Sequence, residues 1–226
     1  MASLQAEIWG APEVAAPATL LKAMASAGGI VLLASARGGP VGFAYGFTGR
    51  TATGIAYHRS HAAGVLASCR DSGVGRALKL AQRRRALAQG LELMVWTFDP
   101  GQSRNAHFNL KRLGAVARRF HRDYYGTRTD PLNQGRPSDR LVVEWYLDAD
   151  RARTISRLRQ RPLLLVPTPP SLRGSSESLD LRPSYRILRR GLEDAFRQGL
   201  AAVDFSQTDA GYWFTSLPKG FSDPVE

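Results

Sequence analysis

The sequence predicts an α/β fold built on a mixed sheet, and three observations carry that prediction. An apolar strand, a glycine turn, an amphipathic helix and a second apolar strand follow one another between Ala62 and Phe98, the order of a βαβ unit whose right-handed crossover sets the two strands parallel. Two β-like runs, Ile30 to Ala36 and Val41 to Phe47, flank Arg37-Gly38-Gly39-Pro40, which is hairpin turn chemistry. The 226 residues, 43% hydrophobic and 22% charged, suffice to bury a core but hold only one ordinary domain with an appendage, or two small ones.

The remaining elements follow in order. Leu20, Leu21 and Met24 share a helical face that ends at Gly28-Gly29. The segment from Thr51 to Ser60 is indeterminate, and a strand is expected over Ala62 to Ser68. Val74, Ala77, Leu78, Ala81 and Ala88 recur at helical spacing and Gly90 stops them, after which Leu91 to Phe98 reads as a buried strand bounded by Asp99-Pro100-Gly101. A helix from Ser103 carries Ala106, Leu110 and Leu113 on one stripe and ends at Gly114. Two strands, Val116 to Tyr125 and Leu141 to Leu147, are expected around a loop from Gly126 to Arg140.

Composition shifts after Asp150, dividing the chain into 1–150 and a 151–226 extension. The extension opens on the basic run Arg151 to Arg161 and offers a short strand at Leu163 to Val166 and a Pro/Ser/Gly linker from Pro167 to Ser178. A helix over Tyr185 to Gln198 and a hairpin of Leu200 to Phe205 with Tyr212 to Leu217 complete it. A helix and hairpin of that size hold too little core to stand alone, so they are expected to pack on the main sheet or on a partner subunit.

The net charge of +12 invites a nucleic-acid reading, kept as a lesser alternative. Only Lys22, Lys79, Lys111 and Lys219 among the 31 basic residues are lysine, a usage that suits a GC-rich, bacterial genome. The basic residues are spread along the chain, and a basic surface equally suits an anionic cofactor. No apolar stretch approaches the roughly 18 residues that cross a bilayer, and residues 1–7 lack the pattern of a cleaved leader, so a cytoplasmic protein with no membrane partner is expected. Cys69 is the single cysteine and the four histidines lack ligand spacing, so no metal site is predicted.

The chemistry lies at Arg70, Gly73 and Gly75, an R-x-x-G-x-G spacing where a strand passes into a helix. Glycines there let backbone N–H groups converge on an anion, and the following helix aims its positive end at the same place, which fits a pyrophosphate. A dinucleotide fingerprint and a P-loop are both absent.

This pattern resembles the acyl-coenzyme A site of the GCN5-related N-acetyltransferase superfamily, and the order of elements from about Leu20 to Leu147 is similar to that superfamily. Trp96-Thr97-Phe98-Asp99-Pro100, Ser103 to Leu110 with Leu113-Gly114-Ala115, and Ser138 to Trp145 are similar to an acetyltransferase-like subgroup. The resemblance implies that backbone groups of Val65 and Leu66 pair with the pantetheine arm, that Arg70, Asp71, Ser72, Gly73, Val74, Gly75 and Arg76 cradle the pyrophosphate, and that Asn105 and Phe108 flank the thioester. It implies acetyl-coenzyme A or another acyl-coenzyme A as cofactor and a small-molecule or peptide amine as substrate, with a homodimer as a further expectation. Two features depart from the superfamily: Leu110 stands where many members carry a tyrosine general acid, and only Ser3 to Trp9 is available as an opening strand.

Acyl transfer to an amine needs a proton acceptor and donors that polarise the thioester. His61 is the better placed of His58 and His61. Glu144 is a candidate if strand alternation turns it towards a cleft, and Tyr124 or Tyr125 could supply the missing phenol. Each has an ordinary structural reading as well: surface histidine, solvent-facing carboxylate, core aromatic. Asp99 is equally a turn-former. Two readings of the whole remain: an acyl-coenzyme A-dependent N-acyltransferase, or a protein that keeps the cofactor site without catalysis.

Overall fold

The computed structural model describes residues 1–10, 12–126, 137–172 and 180–221. The chain divides into two compact units within one strand, the first holding Met1–Val95 and the second the described residues from Trp96 onward. The change in composition near Asp150 thus falls inside the second unit, because the contacts of the C-terminal strands are with the strands that precede them.

The first unit opens with helices α1 (Ala2–Trp9) and α2 (Ala18–Ser26), followed by strands β1 (Ile30–Ala36), β2 (Gly39–Arg50) and β3 (Ala56–Val65), helix α3 (Val74–Ala88) and the start of β4 (Leu93–Phe98). Its strands lie in the order β1-β2-β3-β4. The predicted hairpin is β1 and β2, antiparallel with Ile30 opposite Gly46. The predicted parallel pair is β3 and β4, with His58 opposite Met94 and Arg59 opposite Val95. Leu4, Leu21, Phe43 and Tyr45 form a buried cluster under Ile8, Trp9 and Met24. Gln5 is locked beneath them, its Oε1 accepting the Ala16 N–H at 3.1 Å and the Tyr45 hydroxyl at 3.2 Å.

Two expectations are corrected here. Ser3 to Trp9 is not a strand but lies within α1, which ends at Gly10 in the left-handed conformation with φ of 64°. The strand expected over Ala62 to Ser68 is β3, which starts at Ala56 and ends at Val65, and Ala67–Cys69 form a 3-10 turn. The indeterminate stretch therefore supplies half of a central strand. Its inward positions are polar, with His58 and Ser60 buried, so apolar alternation could not reveal it.

The second unit holds the end of β4, helix α4 (Ser103–Ala106) continuing as a π-helical turn (His107–Arg112), strands β5 (Val116–His121) and β6 (Arg140–Tyr146), helix α5 (Ala149–Leu158), strand β7 (Leu164–Pro167), helix α6 (Arg182–Arg197) and the hairpin β8 (Leu200–Ser206) and β9 (Gly211–Ser216). Its strands lie in the order β4-β6-β5-β8-β9-β7. β8 joins the edge of β5 through Ala117 and Ala202, β9 pairs with β8, and β7 with β9. Leu188 and Leu192 of α6 are buried, as are Phe205, Tyr212 and Phe214 of the hairpin. Arg159 ties α5 to this sheet, donating to Val203 O at 2.7 Å and Ala115 O at 3.2 Å. The expected loop from Gly126 to Arg140 lies largely outside the described residues, as does the second half of the linker from Pro167 to Ser178; in its first half Pro167 ends β7 and Pro170–Leu172 form a 3-10 turn.

The basic run Arg151 to Arg161 is mostly helix α5, capped by Asp148, whose Oδ1 accepts the Arg151 N–H at 2.8 Å. Asp148→Ala is expected to cost about 1 kcal/mol, the usual loss of an N-cap, read as a lower urea midpoint at unchanged slope.

Candidate functional site

In the first unit the site grows from the way β3 leaves β4. The parallel ladder stops at Arg59 and Val95, while β3 stays paired with β2 as far as Val65. A bulge falls just past that point: Tyr45 faces Ala62 and Gly46 faces Ser60, leaving His61 as the extra residue. A bulge adds local twist and leaves its extra residue unpaired. From Ser60 onward, β3 has no ladder partner on the side away from β2 within this unit.

Hydrogen-bond parity says which backbone groups line that edge. The Leu66 N–H donates to Val41 O at 2.9 Å. In an antiparallel ladder the bonded and non-bonded pairs alternate, so the N–H and C=O of Val65, opposite Gly42, point away from β2, and those of Ala63 do likewise. Val65 O indeed accepts Arg70 Nε at 3.4 Å. Val65 thus has the geometry expected of it. Leu66 does not: its N–H is taken by Val41, and its carbonyl accepts the Cys69 N–H at 2.9 Å. Ala63 shares the outward geometry of Val65, and no local pattern in the sequence marks that parity.

The turn that follows gathers backbone N–H groups at the start of α3. Asp71 has φ of 62° and Gly73 φ of 89°, and two left-handed residues this close to a helix start draw successive N–H groups into a concavity. Gly73 is the N-cap of α3 and offers no side chain to the helix. Ala77 N–H is the first to find a helical acceptor, Gly73 O at 2.9 Å, so the N–H groups of Val74, Gly75 and Arg76 precede the ladder. A Cβ added at Gly73 would meet nothing within 4 Å, but its φ suits only glycine. Ser72 Oγ donates to Cys69 O at 2.6 Å and fixes the turn from below. Arg70, Asp71, Ser72 and Arg76 are exposed.

His61 is also exposed, its ring 5.7 Å from that of Tyr45 and 6.0 Å from that of Phe47. Partial burial first, and the Arg59 charge second, hold its pKa below the usual 6.5. It is therefore neutral at pH 7 and has a ring nitrogen able to accept a proton.

In the second unit, Asn105 is exposed on α4 and Phe108 half-buried in the π-helical turn. Tyr124 is exposed past the end of β5, its ring 4.8 Å from Tyr125 and 5.4 Å from His121. Leu110 is fully buried, and Trp96 Nε1 donates to Asn109 Oδ1 at 3.1 Å.

Glu144 is not a free base. Only 1% exposed, its Oε2 accepts Arg118 Nη1 at 3.1 Å and the Tyr146 hydroxyl at 2.5 Å. Alternation does turn it inward, as the sequence allows, but onto the side chains of Arg118 and Tyr146. Asp99 behaves as the turn-former: its Oδ1 accepts the Gly101 N–H at 2.8 Å and its Oδ2 the Tyr185 hydroxyl at 2.8 Å. Burial raises its pKa despite these bonds. An open depression in the second unit, lined by Phe120, Arg122, Glu193, Phe196 and Arg197, contains none of the predicted site residues.

No family profile matches the sequence, and no curated protein does. Solved structures do. The chain is similar to Naa20 from Chaetomium thermophilum in complex with a bisubstrate analogue, at a TM-score of 0.54 and 17% identity over 67% of this chain and 84% of that one. It is similar to the ribosomal-protein-alanine N-acetyltransferase from Brucella melitensis at a TM-score of 0.50 and 20% identity, over 62% and 84% of the two chains. The fold is that of the GCN5-related N-acetyltransferases. At these identities the likeness is one of fold. The bulged strand β3, the glycine turn and α3 are this chain's own instance of that GCN5-related fold.

Proposed function

We propose that the chain is an N-acyltransferase that binds acetyl-coenzyme A or another acyl-coenzyme A and passes the acyl group to a small-molecule or peptide amine. The observation that carries this reading is the continuous run from the open β3 edge at Ala63 and Val65 to the uncapped N-terminus of α3 at Gly73. The residues fit the cofactor: outward-facing backbone groups suit the amides of the pantetheine arm, and the N–H cradle with Arg70 and Arg76 suits the pyrophosphate. The acyl-coenzyme A supplies an activated thioester when bound.

The chain's own residues then have distinct tasks. Ala63 and Val65 orient the arm by strand-like hydrogen bonds. Gly73, Val74, Gly75 and Arg76 hold the diphosphate, with Arg70 adding charge from the turn. Neutral His61 accepts a proton from the acceptor ammonium, directly or through water, so that the amine becomes nucleophilic. Tyr124, exposed in the second unit, stands as the candidate phenol in place of Leu110.

The deciding experiment is release of free thiol from acetyl-coenzyme A across a panel of amines. Turnover that needs an amine supports the transferase. Coenzyme A binding without turnover for any amine favours the second reading, a catalytically silent acyl-coenzyme A-binding protein, which the buried Leu110 and the ion-paired Glu144 support. Turnover is expected to decline on the acid side of the ordinary histidine range, since a histidine of depressed pKa takes its proton only below that range, and His61→Gln is expected to flatten that acid limb in a rate–pH profile.

A further inference from the structure

A chain of buried polar side chains joins α3 to β3 in the first unit. Lys79 Nζ donates to Ser60 Oγ at 2.8 Å, and Ser60 Oγ donates to Gln82 Oε1 at 2.9 Å. Gln82 Nε2 lies 3.3 Å from His58 Nε2. An amide nitrogen only donates, so His58 Nε2 accepts and its proton sits on Nδ1, which has no partner among the described residues. Lys79 is 5% exposed, Ser60 3%, and Gln82 and His58 are both fully buried. Glycine at Gly46 makes room for this arrangement, since a Cβ there would lie 2.8 Å from His58 Nε2.

An apolar helix–sheet contact would bury these positions at far lower cost than a lysine does. The position of the network shows what that cost maintains. Ser60 is the first residue after the last parallel pair, Arg59 and Val95, and it precedes the bulge at His61. Lys79 sits six positions beyond Gly73, about 9 Å along the helix axis at the usual rise.

We infer that Lys79 is a positioning residue of the acyl-coenzyme A site, acting through Ser60 to hold the point where β3 leaves β4 in fixed register with the anion-binding N-terminus of α3. This rests on the reading of that site as a coenzyme A site. The amine does a second thing there. Burial pushes the Lys79 pKa down to about 7, so its charge is lost near neutral pH, and a polyanion at the helix start favours the charged form. His58 on β3 is the titratable group whose coupling to it is evident; Arg76 and Arg83 stand three positions before it and four after it on α3, and Arg59 of β3 acts on His61 instead. The arginines stay charged throughout, and His58, with a pKa lowered to about 4 by burial and then by Lys79, stays neutral. β1 and the inward Gly42, Ala44 and Gly46 of β2 carry no titratable group. Coenzyme A affinity is therefore expected to fall by about five- to tenfold as the Lys79 charge is lost with rising pH.

Stability has the opposite slope. The folded pKa lies below the unfolded one, so the stability this group allows is complete above about pH 10.5 and is lost as pH falls towards 7.

The test is calorimetric titration of coenzyme A into the wild type, Lys79→Met and Ser60→Ala between pH 6 and 9, with a thermal melt of each. Both variants are expected to bind about tenfold more weakly at pH 7, and the double variant no more weakly than either alone. Lys79→Met is expected to bind with a flatter pH profile than the wild type. A purely structural role would lower the melting temperature and leave that profile unchanged. Should Lys79→Met not fold, Ser60→Ala, which keeps the amine, decides the matter by its affinity. Folded variants that bind within twofold of a binding wild type, with its pH profile, overturn this inference alone. A wild type that does not bind coenzyme A overturns it together with the reading it rests on.

Discussion

Gly75→Glu is expected to lose on the order of 100-fold in coenzyme A affinity, about 2.8 kcal/mol, while the protein stays folded. Gly75 is the second residue of α3 and, unlike Gly73, is not among the residues of positive φ. A side chain there is sterically tolerable to the backbone, and a glutamate in a first helical turn even favours the helix dipole. Its carboxylate would, however, occupy the place where the helix N–H groups await phosphate oxygens, and would repel them. Arg70→Ala and Arg76→Ala should weaken binding less, since each removes one exposed charge and leaves the amide cradle intact. If the glycine turn were merely a turn, the ranking would reverse: Gly75→Glu would alter only the melt. Calorimetry with coenzyme A, paired with a thermal scan, separates the two outcomes.

Arg118→Ala is expected to destabilise the fold by about 3 kcal/mol, because it leaves the Glu144 carboxylate buried without its cation. In a chain of this length that lowers Tm by roughly 6–12 °C. The side chain of Arg118 is 14% exposed and that of Glu144 1%, so solvent cannot replace the lost partner. Glu144→Gln removes the charge along with the acceptor strength and should cost less, about 1–2 kcal/mol. The pair also tests the chemistry. A catalytic base at Glu144 would make Glu144→Gln lose turnover outright, whereas a structural carboxylate predicts that the folded variant turns over at close to the wild-type rate.

Much of the first unit was legible because its elements obey local rules. The hairpin of β1 and β2, helix α3 and its stop at Gly90, and the apolar β4 all follow from periodicity and glycine placement. Strand β3 was misplaced for a physical reason: its inward positions are His58 and Ser60, which are buried because Lys79 and Gln82 meet them from α3. Those partners lie about twenty residues away, and no local pattern reports them. The same holds for the basic run Arg151 to Arg161, in which Arg159, just past α5, reaches inward to two carbonyls, and for Glu144, which meets Arg118 of the neighbouring strand.

Within the candidate site, positions marked by residue type were more legible than those marked only by backbone direction. Gly73, Gly75 and Arg70 carry their chemistry in residue type and spacing. Ala63 and Val65 do so only through the direction of their amides, which depends on a register set by the bulge at His61. A bulge shifts that register by one residue, and nothing in Ser60-His61-Ala62 announces it. Leu66 thus differs from Val65 in parity, its N–H being bonded to Val41.

The most direct test of the site is a titration of coenzyme A into isotopically labelled protein, followed by backbone amide NMR. Saturable shifts are expected at Gly73 to Arg76 and at the outward amides of Ala63 and Val65, with Leu66, bonded to Val41, moving less. Shifts confined to other surfaces, or none at millimolar ligand with a folded protein, would contradict it.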